Sequence, residues 1–191
     1  MGGGVRAWSR AGRDRGVVAV EAAFVMPLIL TLALGIVEYG LVFKDKLTMS
    51  AAVRAGARTA SAEPRVGSFA ADTAAAVAKG STALNMADVT KMWVYKSDAQ
   101  GYPLGGGSAF TTCTTCITFR WDAGAGKFTP VSDTWAALTQ NACPGDPNHD
   151  TIGVYLEVDH KAVSNLFFKS MTLREHVVMT LEPVPVTSGC R

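Results

Sequence analysis

The sequence predicts an α+β protein: a long N-terminal membrane-spanning helix, then a small extracytoplasmic domain with an antiparallel β-sheet and a short helix. Three observations predict it. From Val17 to Phe43 the chain reads VVAVEAAFVMPLILTLALGIVEYGLVF, 27 residues with two charges, Glu21 and Glu38, and a bilayer core needs about 20 such residues. Ahead of that run Arg6, Arg10, Arg13 and Arg15 stand against one acid, Asp14. Basic residues beside an apolar span favour the cytoplasmic side, so the short N-terminus is expected inside and the long body outside. Beyond the run, segments rich in β-branched and aromatic residues alternate with turn signals.

The organisation follows in chain order: a basic leader over 1–16, a transmembrane helix over 17–43 continuing to about 62, and an extracytoplasmic α+β domain over 63–191. KDKLTMSAAVRAGARTASA, from Lys44, contains good helix formers and no break. One helix from about Val17 to Ala62 would be on the order of 70 Å long. Pro27 removes one backbone bond and should kink it, which membrane helices tolerate. FAADTAAAVAKGSTAL at 69–84 predicts a short helix weakened near Gly80 and Ser81. Strands are predicted at 89–97, 116–122, 151–160 and 173–184. The stretches near 98–112 and 123–150 read as long polar surface loops.

The charge balance restricts the function classes. The whole chain carries 18 basic and 16 acidic residues, a formal +2. Without the leader the balance is 14 against 15. A nearly neutral body argues against a nucleic-acid surface.

A cleaved secretory signal has a shorter apolar region followed by a small-residue site, whereas this run is long and carries two carboxylates. A plain signal anchor fits the length and flanking charge and leaves Glu21 unexplained. An intramembrane carboxylate costs energy and ordinarily has a partner or a task; the alternative is that Glu21 snorkels to the interface. Glu38, beside Tyr39, has the same two readings: the outer headgroups or a partner contact. Gly35 and Gly40 would let another helix approach, although glycine is generally frequent in membrane helices. Arg54 and Arg58, four apart, share a helix face suited to solvent, lipid headgroups or a partner.

The flanking residues sharpen the reading of Glu21. Arg13, Asp14, Arg15 and Gly16 place a basic stretch and a residue without a side chain just before the apolar run, which suits a peptidase at the cytoplasmic face. Cleavage after Gly16 would free an amine on Val17 one turn from Glu21. Gly16 followed by Val17, Val18, Ala19, Val20 and Glu21 resembles the type IV prepilin cleavage site. The stretch RGVVAVEAAFVMPLILTLALGIVEYGLVFKDKLTMSAAVRAGARTAS is similar to the TadE-like family of Flp (Tad) pilus assembly proteins. Glu21, Pro27, Gly35, Glu38, Gly40 and the Ala-Val-Arg-Ala-Gly-Ala-Arg segment at 52–58 carry the likeness. GVYLEVDHK and LREHVVMTLEP resemble the end of those proteins. The resemblance implies a pilin-like fold, trimming by a prepilin peptidase, partners among other pilin or pseudopilin subunits and the Tad machinery, and a Glu21 that pairs with a neighbouring subunit's N-terminal amine.

Catalytic and metal-binding readings find less. Cys113, Cys116, Cys143 and Cys190 suggest one or two disulfides in an oxidising compartment, with three possible full pairings. A zinc site lacks a second ligand pair, and a thioredoxin-like site would need Cys113 and Cys116 at a helix start. Asp146, Asn148, Asp150 and Glu157 match the spacing of a calcium loop, but Thr151 stands where the sharp turn wants glycine. His149, His160 and His176 fall in no catalytic motif, and GYPLGGGSAF lacks the lysine of a phosphate loop. The expectation is a protein that is not an enzyme and uses no cofactor or metal. The competing expectation is an uncleaved single-pass envelope protein presenting an adhesive or ligand-binding domain. An anchored hydrolase is a third class, for which no coherent site is offered.

Overall fold

The computed structural model describes residues 11–107 and 109–185. Two compact units divide the chain, one ending at Leu41 and one beginning at Val42. Helix α1, Ala11–Ala62, has 52 residues and contains Pro27. It begins ahead of Val17 because nothing over 11–16 is a strong breaker; glycine only weakens a helix. Within the first unit, Thr31 Oγ1 donates to the Pro27 carbonyl at 2.8 Å. That hydroxyl is thus satisfied inside its own helix, as an apolar environment requires.

From Val42 onward α1 has one buried stripe: Met49, Ala52, Val53, Ala57 and Ala60. The stripe belongs to a core shared with Phe69, Ala74 and Val77 of α2 (Phe69–Gly80) and with one face of a five-stranded antiparallel sheet. The strands are β1 (Val89–Lys96), β2 (Cys116–Asp122), β3 (Lys127–Asp133), β4 (Thr151–Lys161) and β5 (Ser170–Thr180). Their spatial order is β3-β2-β1-β4-β5. Register places Met92 and Val94 of β1 opposite Leu156 and Val154 of β4. Because side chains alternate between faces, these residues enter the helix-covered core while Trp93, Tyr95 and Tyr155 turn to the other side.

The helices come close because the sequence removes side chains at the crossings. A Cβ on Gly56 would lie 2.5 Å from Val77 Cγ2, and one on Gly80 would lie 2.8 Å from the Ala52 Cα. Ordinary carbon contacts need about 3.5–4.0 Å. Gly56 therefore admits α2 to α1, and Gly80 admits the end of α2 to the α1 backbone.

The predicted α+β class and antiparallel sheet are observed, with two corrections. The stretch 123–150 is not all loop, since Lys127–Asp133 forms β3, paired with β2 across the turn at Asp122–Lys127. KFTPVSD hides its strand character because it is polar at most positions and holds Pro130. Proline is tolerated on an edge strand or at a bulge, and β3 is an edge strand whose register shifts between Thr118 and Phe119, next to Pro130. Nor is 98–112 purely a surface loop, since Phe110 stacks on Tyr155 with ring centroids 3.9 Å apart and planes 2° apart.

Candidate functional site on the N-terminal helix

The sequence-predicted site residues Gly16, Val17, Glu21, Pro27, Gly35, Glu38 and Gly40 all lie on α1 in the first unit. An 18-residue window of this helix has a mean hydropathy of 2.4, long and apolar enough to cross a membrane. The two carboxylates of the run differ in setting. Glu38 is 2 % exposed. Glu21 is exposed, and among the described residues no hydrogen bond or ion pair reaches it. A carboxylate on an apolar helix surface has to be satisfied from outside its own chain or left at high cost.

The glycines divide into two kinds. Gly56 and Gly80 are required by close packing within the protein, as shown above. A Cβ on Gly16 or Gly40 would meet nothing within 4 Å. Glycine inside a helix costs roughly 0.5–1 kcal/mol relative to alanine. Among the described residues no close packing requires glycine at Gly16 or Gly40.

That pattern is the setting for the comparison with known proteins. Residues 16–58 match the family model described as TadE-like protein. The N-terminal segment is similar to that family. Neither the curated proteins nor the solved structures provide a match for the chain. The TadE-like segment begins at Gly16 and contains both carboxylates, Pro27, Gly35, Gly40 and the segment at 52–58.

The end of the TadE-like segment has a clear division of labour. Ala52, Val53, Gly56 and Ala57 face the core, while Arg54 and Arg58 are exposed on the opposite side of α1. The small residues serve the α1–α2 approach, and the arginines, one turn apart, present two charges on an outward stripe.

The second unit holds the other predicted positions. Cys113 and Cys116 are joined by a disulfide, with Cα atoms 6.0 Å apart. Cys143 is disulfide-bonded as well, and Cys190 lies outside the described residues. The calcium-like spacing does not converge on one point. Asp146 accepts hydrogen bonds from Asn141 and the Asn148 backbone, and the same contacts lower its pKa. Asp150 binds Lys96 at 2.7 Å and the Asn141 backbone at 2.9 Å. Glu157 is engaged elsewhere. His160, on β4, contacts Asp45 at 2.6 Å, whereas the ring of His149 meets the Cys143 carbonyl.

Sequence reasoning missed the organisation of the sheet face turned away from the helices. Glu157, 6 % exposed, accepts from Tyr155 at 2.6 Å, Arg174 at 2.8 Å and Thr90 at 3.0 Å, and pairs with Lys91 at 3.2 Å. Burial works against its ionisation, but the hydrogen bonds from Tyr155, Arg174, Lys91 and Thr90 outweigh it and hold the carboxyl down at about 2. Burial, with the hydrogen bond to Glu157, pushes the Tyr155 hydroxyl upward. A cleft of about 440 Å³ beside this network is lined by Lys91, Tyr102, Phe110, Glu157, Arg174 and His176. Lys91 and Arg174 spend their charge on Glu157. The only early signal was alternation along β1, β4 and β5, which places Lys91, Trp93, Tyr155, Glu157, Arg174 and His176 on one face.

Proposed function

We propose that this chain is a pseudopilin-type component in the assembly of a Flp/Tad pilus. It inserts with its N-terminus inside and its domain outside the cytoplasmic membrane, and a prepilin peptidase trims it after Gly16. The helix then packs against other pilin or pseudopilin subunits or the Tad machinery. The role is structural, without catalysis or a cofactor.

The single observation that carries this reading is Gly16 with Glu21 in the TadE-like segment: a glycine the fold does not require, five residues before an exposed intramembrane carboxylate. A peptidase that needs a residue without a side chain accounts for the first. The amine released on Val17, on a neighbouring subunit, accounts for the second, because pairing offsets the desolvation each charge would suffer alone. Gly35 and Gly40 then become packing or partner positions, and Arg54 and Arg58 offer exposed charges further along α1, whereas Glu38, at 2 % exposed, is already buried.

Trimming is tested by expressing Gly16→Asp beside the unaltered chain in cells that contain a prepilin peptidase. The unaltered chain should lose its leader while Gly16→Asp keeps it. Equal size for both, with Met1 present in each, would overturn the proposal.

A further inference from the structure

We infer that the tip of the β4–β5 hairpin dips into the outer leaflet of the bilayer, giving the domain a second membrane contact beside its helix. The inference rests on the reading above that α1 is anchored in a membrane. β4 and β5 pair without interruption from Thr151 with Thr180 to Lys161 with Ser170, and the Ala162 amide donates to the Lys169 carbonyl at the base of the turn. Hairpin turns exposed to water favour Gly, Asn, Asp, Ser and Pro. This one reads AVSNLFFK over 162–169, with Asn165 in the left-handed region at φ 54°. Val163 is 71 % exposed, Leu166 58 % and Phe167 41 %.

The direction of the hairpin decides what those side chains meet. Gly56 of α1 lies against Val154 of β4, and Asp45 of α1 contacts His160 further along the same strand. β4 therefore runs back along α1, toward the start of the domain at Val42. Lys46 fixes the other strand of the stem by its 2.5 Å contact with Glu175 and a hydrogen bond to the Arg174 carbonyl. The turn over 162–169 follows His160 and Lys161, so it lies at the Asp45 end of the stem. The clamp at Asp45 and Lys46 follows the apolar run, which ends at Phe43, by two residues.

The charges suit the same surface. Lys161 and Lys169 flank the apolar tip; Lys161 pairs with Asp88, and at the same end of the domain Lys44 pairs with Asp45 and Lys46 with Glu175, so Lys169 is the lysine placed to meet headgroups. Lysines around an apolar insert snorkel to anionic headgroups while the insert sits at the acyl boundary. The tip itself, Val163 to Phe168, carries no charge.

The test places spin labels on Val163→Cys, Leu166→Cys, Leu30→Cys and Gln100→Cys variants of the full chain. The chain is reconstituted in vesicles of phosphatidylethanolamine and phosphatidylglycerol, and the unaltered chain treated with the same label supplies the background. Gln100 is exposed beyond the opposite end of β1. The ratio of oxygen to nickel-chelate accessibility should be several-fold higher at positions 163 and 166 than at 100. Ratios at 163 and 166 equal to that at 100, with Leu30 reading as bilayer interior, would overturn the inference and leave the anchor intact. Shielding of 163 and 166 from both reagents would also overturn it, by showing a protein partner or a second copy on the tip. An aqueous reading at Leu30 would overturn the anchor reading and the inference together.

Discussion

Gly56 of α1 faces Val77 of α2 so closely that a single added carbon would lie 2.5 Å from Val77 Cγ2. This contact explains why a helix that carries the apolar run also shapes the core of the second unit. The same alternation of small and charged residues that places Arg54 and Arg58 outward places Ala52, Gly56 and Ala57 inward.

Gly56→Ala should therefore destabilise the domain by about 1–3 kcal/mol, the usual range for overpacking. Chemical unfolding of the full chain in detergent, followed by tryptophan fluorescence, measures it. Val77→Ala in the Gly56→Ala background should recover part of the loss, because the two changes share one contact. Gly40→Ala, whose Cβ meets nothing within 4 Å, should leave stability unchanged or raise it by up to about 0.5–1 kcal/mol. Equal loss from Gly56→Ala and Gly40→Ala would contradict the packing account.

Glu157 gives a prediction in pH. Its carboxyl titrates at about 2 in the folded protein against an ordinary 4.5. A depressed carboxyl adds stability above its ordinary value and loses it as pH falls from about 4.5 toward 2. The contribution is on the order of 2–3 kcal/mol after allowance for solvent around Arg174, which is 63 % exposed. Glu157→Gln should lower stability at neutral pH and flatten the stability curve between about pH 4.5 and 2. A variant that keeps the full acid sensitivity of the unaltered chain would place the titrating group elsewhere.

The parts of the fold that were legible were those whose signal is local. The apolar run, α2, and strands β1, β2 and β4 show in periodicity and residue type, and α2 ends at Gly80 where its breaker stands. β3 was hidden because an edge strand beside a bulge can be polar and contain Pro130. The Glu157 network was hidden for another reason: Tyr155, Arg174 and Lys91 come from three strands, and their convergence depends on register between β1, β4 and β5. Glycine roles were only half legible. The role proposed for Gly16 rests on its spacing to Glu21, whereas Gly56 needs the position of Val77 to show its purpose.

The Cys113–Cys116 bridge closes a short loop, and loop entropy in the unfolded chain limits its contribution to about 2 kcal/mol. Replacing both with alanine should cost no more than that, provided Phe110 still covers Tyr155. Peptide mapping under non-reducing conditions should find the two cysteines bridged within the tryptic peptide that spans Ser97–Arg120. Cys143 linked to either of them would contradict the pairing.

Removing the charge at Glu21 separates trimming from assembly. Glu21→Gln keeps the size of the side chain and Gly16, so leader removal is expected to proceed while recovery of the protein with sheared surface filaments falls. Recovery equal to that of the unaltered chain would show that the carboxylate has no assembly role.

The most direct measurement is the N-terminal residue of the protein purified from cells that contain a prepilin peptidase, read by mass spectrometry of its first peptide. The account predicts Val17 as the first residue, with the sixteen-residue leader absent. Recovery of the chain with its leader intact would contradict it.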